Sequence, residues 1–414
     1  MDSYKEYMNS SPNIKTIVNW YDLYKGHYVN LDKNFQKRLF QEAVKKAGNF
    51  SKLGNILNIN RKIISSCTKG FTKPTISYIE KIAGYVNFSL DRINNNIIDI
   101  SNLRPNLPFN LHNIEGAEIR AAFLSDGHID KKPIARSGYY AYEKKLHSRL
   151  VYLCKKIFGD FKSKTYFDGT TYVTKFPSII GNSLELSGVP HGNKGISNCY
   201  LPKDILLGKK KIKYSYLRRV FDDEGDVCWD KSGKRAVRIS RSVSIQEIPE
   251  FKNISSEKWI RFNLAKPEKT IPNLLLGEQT LLLHLGIDAK LYFEGIYKNK
   301  KGNFTAKWRI QIAQQDQLKK FAQLINFNLK EKRDKLNNII NSYTYRKLQN
   351  GKGKEKVLEF IKQICKNKGY VSYSDLGKEL MNKGFTLDLS GYYLSYFTKE
   401  GIIEKTDRGI YILK

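Results

Sequence analysis

Two nine-residue stretches of the sequence each run from apolar positions into an acid and then a glycine. Residues 217–225 read LRRVFDDEG, and residues 119–127 read IRAAFLSDG. In both, apolar residues recur at helical spacing, and the glycine at the ninth position is able to end a helix. The eighth residues, Asp126 and Glu224, are 98 positions apart. A motif that recurs after about the length of a small domain predicts that a domain is duplicated in this chain.

The paired acids suggest a specific chemistry. An acid at the carboxyl end of a helix is a poor local choice, because the helix dipole favours a cation there. Two carboxylates held together raise each other's pKa and require a counterion. That counterion could be a lysine, but in an enzyme acting on nucleic acid it is more often Mg²⁺. Such an ion polarises the scissile phosphate and activates the attacking water. For either acid alone, the simpler interpretation is a solvated side chain.

The composition indicates a nucleic-acid partner. The 414 residues include 72 Lys and Arg against 40 Asp and Glu, a formal charge of +32 that is spread along the chain. Such a field favours a polyanion, and nucleic acid is the commonest one. The five cysteines are isolated and form no CxxC pair, which fits a reducing, cytoplasmic location. No apolar run approaches the roughly 20 residues of a membrane span, so no membrane partner is expected.

The elements around the two acids predict how they are positioned. After each nine-residue motif, the pattern changes to two strands, a helix, two more strands and a last helix. This order predicts an α+β fold with two αββαββα repeats, at residues 114–208 and 209–345. If the first helices of the repeats pack together, Asp126 and Glu224 lie side by side at one end of the pair.

Residues 35–97 predict a helix-turn-helix domain, preceded by an extension, 1–34. Two short helices flank a turn at residues 58–60, and the second helix would enter the DNA major groove. Its side chains suit phosphates and base edges. The stretch 70–75, followed by a helix, resembles the phage-repressor type of helix-turn-helix domain; the alternative is a helical bundle with a basic face. The predicted DNA-binding residues are Arg61, Lys62, Ser65 and Lys69.

The remaining segments complete the predicted layout. Residues 98–113 read as a linker, since Pro105 and Pro108 oppose a helix. Residues 354–414 predict three helices and a hairpin, the arrangement of a winged helix, with a small protein-interaction domain as the alternative. The tip of the last hairpin in the second repeat is basic, and Lys298, Lys300 and Lys301 are predicted to contact phosphates.

The two motifs and their separation resemble the LAGLIDADG homing endonuclease family in its single-chain, two-repeat form. Residues 217–225 are the closer match, and 119–127 the looser one. Residues 188–194 (GVPHGNK), 201–203 (LPK) and 308–312 (WRIQI) are also similar to family sequences. The resemblance covers about residues 114–345.

The resemblance implies a fold and an activity. The motif helices would pack at the centre of a pseudo-dimeric saddle of two four-stranded sheets that lies over the DNA major groove. Asp126 and Glu224 would bind divalent metal and cut both strands, and Lys175, near the end of a strand, would assist. A monomer is expected, because both halves of the pseudo-dimer are in one chain.

Two positions depart from the family pattern. Arg219 occupies the third motif position, where the family prefers a small residue, and Leu124 occupies the sixth, where an acid is usual. These departures predict an asymmetric or looser helix interface, and they bear on activity more than on fold. The predicted function is site-specific cleavage of double-stranded DNA with Mg²⁺. The alternatives are a non-cleaving DNA-binding regulator and an RNA-splicing maturase that retain the fold.

Overall fold

The computed structural model shows a mixed α+β protein, as the sequence predicts. Its contacts divide the chain into two units. The first unit contains Met1–Glu224, Arg241–Leu281 and Phe293–Trp308, and the second contains Gly225–Ser240, Leu282–Tyr292 and Arg309–Lys414. The structure describes residues 14–131, 135–229, 234–245, 267–298, 302, 304–342, 352–383, 385 and 388–414.

The amino-terminal domain has four helices, and two of them flank residues 58–60 as predicted. Side chains cap their amino ends, where backbone N–H groups lack helical partners. In the second helix, the side chain of Asn49 takes this role and accepts from the backbone N–H of Lys52 at 2.9 Å. At Gly54 a Cβ would lie 2.8 Å from the backbone oxygen of Ile59, so glycine permits the tight turn. The helices are α1 (Lys33–Ala47), α2 (Phe50–Leu57), α3 (Arg61–Thr68) and α4 (Ile76–Tyr85).

Paired strands occupy parts of the predicted extension and linker. β2 pairs antiparallel with β3, and β1 with β5. Pro105 lies in β4, a strand of two residues that pairs with β8 (Gly159–Asp160); proline is tolerated in such short edge strands. The other strands are β1 (Ile17–Val18), β2 (Val29–Leu31), β3 (Ile97–Ile100), β4 (Arg104–Pro105) and β5 (Phe109–Asn110).

The first repeat has the predicted order of helices and strands. Its first helix is buried on every side from Gly116 to Leu124, as expected of a central helix. The sheet has the order β6-β7-β10-β9. Two short helices, α8 and α9, lead to the second repeat. The elements are α5 (Ile114–Leu124), β6 (Gly127–Ile129), β7 (Ser137–Ala141), α6 (Lys144–Phe158), β9 (Thr165–Phe167), β10 (Tyr172–Phe176), α7 (Ser178–Leu186), α8 (Lys194–Ser197) and α9 (Lys203–Leu206).

The second repeat follows the same order, and its sheet β11-β12-β14-β13 has the same strand sequence as the first. Residues 246–266 of this repeat lie outside the described residues. The elements are α10 (Lys210–Glu224), β11 (Asp226–Trp229), β12 (Arg235–Ser244), α11 (Asn273–His284), β13 (Lys290–Lys298), β14 (Phe304–Ile312), α12 (Gln315–Leu324) and α13 (Lys330–Asn341).

The carboxyl-terminal region has three helices and a hairpin with its own hydrophobic core. A two-residue strand, too short to recognise from sequence, joins the hairpin in a sheet of order β15-β17-β16. None of the helices in the described part of the chain combines the length and hydropathy of a membrane span. The elements are α14 (Lys352–Lys368), β15 (Val371–Ser372), α15 (Tyr373–Asn382), α16 (Asp388–Lys399), β16 (Ile403–Asp407) and β17 (Ile410–Leu413).

Candidate functional site

The two motif helices, α5 and α10, pack against each other. Glu224 is the last residue of α10, and Asp126 is the second residue after α5. At Gly127, the first residue of β6, the chain turns so tightly that a Cβ would lie 2.5 Å from the Cα of Phe123. The charge of Glu224 acts on the Asp126 carboxyl, so the two predicted acids lie near each other at one end of the helix pair.

The Asp126 carboxyl is perturbed by this position. Burial raises its pKa, and the neighbouring charge of Glu224 raises it further, to about 6. The largest opposing effects come from the cations of Lys194, Arg219 and Arg241. A desolvated carboxyl beside a second acid is typical of functional sites.

The last turn of α5 contains no basic residue, and Lys194 supplies a positive charge at that end of the helix. Its Nζ donates to the backbone oxygens of Phe123, at 3.2 Å, of Gly127, at 2.9 Å, and of Ser125. These carbonyls lie at and just beyond the carboxyl end of the helix, where oxygens lack helical partners and a positive charge is favourable. Burial and the charge of Arg241 lower the pKa of Lys194 to about 8. No local pattern indicates this role, although Lys194 ends the GVPHGNK segment.

A second cation, Arg241, links the site to a buried acid. Its Nε and Nη2 donate to the two carboxylate oxygens of Glu278 at 2.8 and 2.6 Å. Its Nη1 lies 3.7 Å from Oε1 of Glu224 and donates to the backbone oxygen of Leu124 at 3.4 Å. The Glu278 side chain is fully buried, so Arg241 is its compensating charge. Nothing in the local sequence pattern marks either residue.

The unusual Arg219 is accommodated by an ion pair inside its own helix. Its Nε donates to Oδ2 of Asp223 at 3.1 Å, and the hydroxyl of Tyr139 donates to Oδ1 of Asp223 at 2.7 Å. The Arg219 guanidinium also lies 4.8 Å from the centroid of the Tyr139 ring, and its Nη1 donates to the backbone oxygen of Leu146 at 3.4 Å. The large side chain at the third motif position is therefore turned toward the first-repeat sheet and α6.

The donor chemistry of the acid pair fits a divalent ion in part. Mg²⁺ commonly takes one or two carboxylates and completes its shell with water and substrate phosphates, which is what Asp126 and Glu224 offer. Among the described residues no group of three or more His, Cys, Asp or Glu is arranged to hold a metal. A metal at this pair would therefore need oxygens from water or bound nucleic acid.

Lys175 lies on the first-repeat sheet. Its Nζ donates to the hydroxyl of Tyr140 at 2.6 Å and lies 4.9 Å from the centroid of that ring. Among the charges that most affect the pKa of Asp126, the lysine is Lys194 rather than Lys175. The assisting role predicted for Lys175 stays a prediction.

The four predicted DNA-binding residues of the amino-terminal domain line one groove of about 570 Å³. The groove lies between the amino end of α2, the helix α3 and the loop that follows it. We call it the reading groove. Lys298 ends β13, whereas Lys300 and Lys301 lie outside the described residues. The groove also contains Phe50 and Phe71, which were not predicted to bind DNA. Its predicted members are Arg61, Lys62, Ser65 and Lys69.

Comparison with known proteins finds remote structural likenesses. No protein-family model matches the sequence, and no curated protein matches it significantly. Mesophilic variants from the homing endonuclease I-DmoI are 14% identical over 55% of this chain and 99% of theirs, with a TM-score of 0.33. The homing endonuclease I-WcaI bound to its DNA recognition sequence is 14% identical over 54% of this chain and 85% of its own, with a TM-score of 0.33.

Full-length DUF199/WhiA from Thermatoga maritima is also similar. It is 13% identical over 71% of this chain and 93% of its own, with a TM-score of 0.31. Likenesses at this level of identity and superposition decide neither function nor mechanism.

Replacing Asp126 with asparagine is expected to stabilise the protein above pH 6. The folded state raises the pKa of Asp126 from its ordinary 3.8 to about 6, so it binds the proton more tightly than the unfolded state does. Stability therefore falls as pH rises from about 4 to 6. Asparagine removes this cost. The free energy of unfolding of the variant should therefore exceed that of wild type by about 1–3 kcal/mol above pH 6 and should equal it below pH 4.

Urea unfolding at pH 4, 6 and 8, with a chelator present, measures this difference. Asp130→Asn, which alters an exposed carboxylate four positions along the chain, is the matched control and should change little at any pH. A pH-independent difference between wild type and Asp126→Asn would contradict the prediction.

Proposed function

We propose that the protein is a site-specific DNA endonuclease that uses a divalent metal. The observation that carries this proposal is the acid pair: two carboxylates from different repeats lie together where two packed helices end. Their positions cost stability, since Asp126 is desolvated and repelled by Glu224. Such a cost is typical of residues retained for function.

Each residue of the site has a distinct part in this proposal. Asp126 and Glu224 would hold the metal, which when bound supplies charge neutralisation of the scissile phosphate and a more acidic water. Lys194 and Arg241 place positive charge beside the backbone carbonyls at the carboxyl end of α5. The same charges offset the repulsion between the two carboxylates. The buried Lys194 ammonium, whose pKa is lowered to about 8, is able to exchange a proton close to neutral pH.

Target recognition would come from surfaces outside the acid pair. The reading groove carries three cations, and Tyr140 and Lys175 lie beside each other on the first-repeat sheet. In this proposal the two repeats form a saddle over the major groove, and the amino-terminal helices add a second contact. Phosphate contacts of this kind give affinity and register, whereas base contacts give specificity.

The proposal is tested by incubating the full chain with Mg²⁺ and a library of randomised duplex DNA, then sequencing the bound and the cut molecules separately. We expect one sequence motif among the bound duplexes and breaks at a fixed place within it. If the DNA motif is bound but not cut, the endonuclease proposal is wrong and a DNA-binding regulator is the remaining candidate. If structured RNA binds more tightly than any duplex DNA, the RNA-splicing maturase becomes the favoured function.

A non-cleaving DNA-binding regulator is the second candidate, and the two internal cations favour it. The backbone oxygen of Ser125, next to Asp126, already accepts from Lys194. Glu224 has the Arg241 guanidinium 3.7 Å away. The acid pair thus has counterions from the protein itself, and an ammonium in this place competes with a metal.

If the internal cations compete with metal, Lys194→Met is expected to bind Mg²⁺ about tenfold more tightly than wild type. One positive charge then leaves the acid pair, and about 1.4 kcal/mol of repulsion is enough for this change. Isothermal titration calorimetry measures the affinity. Lys155→Met, which removes an exposed lysine paired with Asp160, is the control and should bind as wild type does. Equal affinity of Lys194→Met and wild type would remove the support for this candidate.

A further inference from the structure

The reading groove contains two aromatic side chains that electrostatics does not explain. Phe71 is 82% exposed, the largest exposed fraction among the large hydrophobic residues of the described chain, and Phe50 is 36% exposed. Both line the groove together with Arg61, Lys62 and Lys69. Water contact with so much apolar surface is unfavourable, so a ligand that covers the rings would gain from doing so.

Hydrogen bonds to the backbone on both sides of Phe71 hold this residue in its exposed position. Its backbone N–H donates to the backbone oxygen of Ser66 at 3.0 Å. The side-chain amide of Gln36 in α1 donates to the backbone oxygens of Cys67 and Thr72, at 2.8 and 3.0 Å. Gly70, with φ of 76°, makes the turn that directs the chain out of α3. The residues on both sides of Phe71 are therefore tied to α1 and α3, and the ring is held beside the helix.

The lining of the groove identifies the kind of ligand. None of its nine lining residues is acidic, and three carry a positive charge. The groove therefore suits a polyanion that also presents an apolar group. In the DNA major groove the base edges offer hydrogen-bond donors and acceptors, and one apolar group, the C5 methyl of thymine.

We propose that Phe50 and Phe71 read thymine methyl groups while Arg61, Lys62 and Lys69 contact the adjacent phosphates and base edges. The amino-terminal domain would then prefer duplex sites with thymine at one or two defined positions. This inference rests on the DNA binding in the proposed function but not on cleavage, so it holds for the endonuclease and the regulator alike.

The test replaces thymine by deoxyuridine, which removes the methyl group and leaves base pairing unchanged. The full chain carrying Asp126→Asn and Glu224→Gln is used throughout, so cutting cannot alter the measured binding. A duplex site is first selected from random DNA. Each thymine in it is then changed singly, and affinity is measured by fluorescence anisotropy.

We expect about a fourfold loss of affinity at one or two thymines, as for one buried methyl group. With Phe71→Ala the affinity should fall and this thymine preference should disappear. The ring is exposed, so the variant should fold, which circular dichroism checks. Lys69→Gln is the matched control: it should weaken binding to both duplexes equally and reduce the salt dependence.

Two results would overturn the inference, and they are distinguishable. If the protein binds a selected site but Phe71→Ala loses the same affinity for the thymine and the deoxyuridine duplexes, the aromatic pair does not read methyl groups. If the protein selects no duplex site, DNA binding itself fails, and the proposed function fails with it.

Discussion

Glu224→Gln is expected to reduce double-strand DNA cleavage about a thousandfold while leaving DNA affinity within a few-fold of wild type. The change keeps the size and shape of the side chain but removes the charge needed to hold a divalent ion and stabilise the developing charge on the phosphate. Asp126→Asn should do the same for the other half of the pair. Because each acid comes from a different repeat, one variant should leave a nick in one strand more often than a double-strand break.

Cleavage of a selected duplex, followed on denaturing gels with each strand labelled separately, measures both effects. Wild type with EDTA in place of Mg²⁺ is the control and should resemble the double variant. Full double-strand cleavage by either single variant would show that Asp126 and Glu224 do not form the catalytic pair. Binding measured in Ca²⁺ separates a catalytic loss from a loss of affinity.

Glu278→Leu is expected to lower the free energy of unfolding by about 3–5 kcal/mol, the usual cost of leaving one charge of a buried ion pair unpaired. The Glu278 side chain is fully buried and that of Arg241 is only 10% exposed, so water cannot replace the lost partner. Adding Arg241→Met should recover much of the loss, since two apolar side chains can fill the same space without a charge.

Urea unfolding of the two single variants and the double variant forms a double-mutant cycle. Asp160→Ala serves as the control, because it removes an ion pair with Lys155 that is exposed on both sides and should leave the unfolding midpoint unchanged. If Glu278→Leu unfolds at the same urea concentration as wild type, Arg241 does not depend on Glu278 for its compensation. Glu278 supports the site through Arg241, so Glu278→Leu should also alter cleavage less than Glu224→Gln does.

Several features were predictable because they depend on local pattern. After each motif helix the strands and helices follow the predicted order, and two helices flank residues 58–60 as predicted. Tight turns and apolar periodicity are set by neighbours in the chain, so single-sequence reasoning finds them. The two-residue strands β1, β4 and β5 were missed, because their pairing comes from distant segments and leaves no local alternation.

From the amino-acid sequence alone, Asp126 and Glu224 are predicted to stand at the ends of equivalent helices of a duplicated domain in a strongly basic protein. The sequence did not determine which charges accompany them. Lys194, Arg241 and Glu278 are far apart in the chain and belong to no periodic pattern, and they meet only because the packing of α5 against α10 leaves carbonyl oxygens and carboxylates in a buried space that requires compensation. The counterions of this acid pair therefore include the protein's own cations, a result of long-range packing that no local pattern encodes.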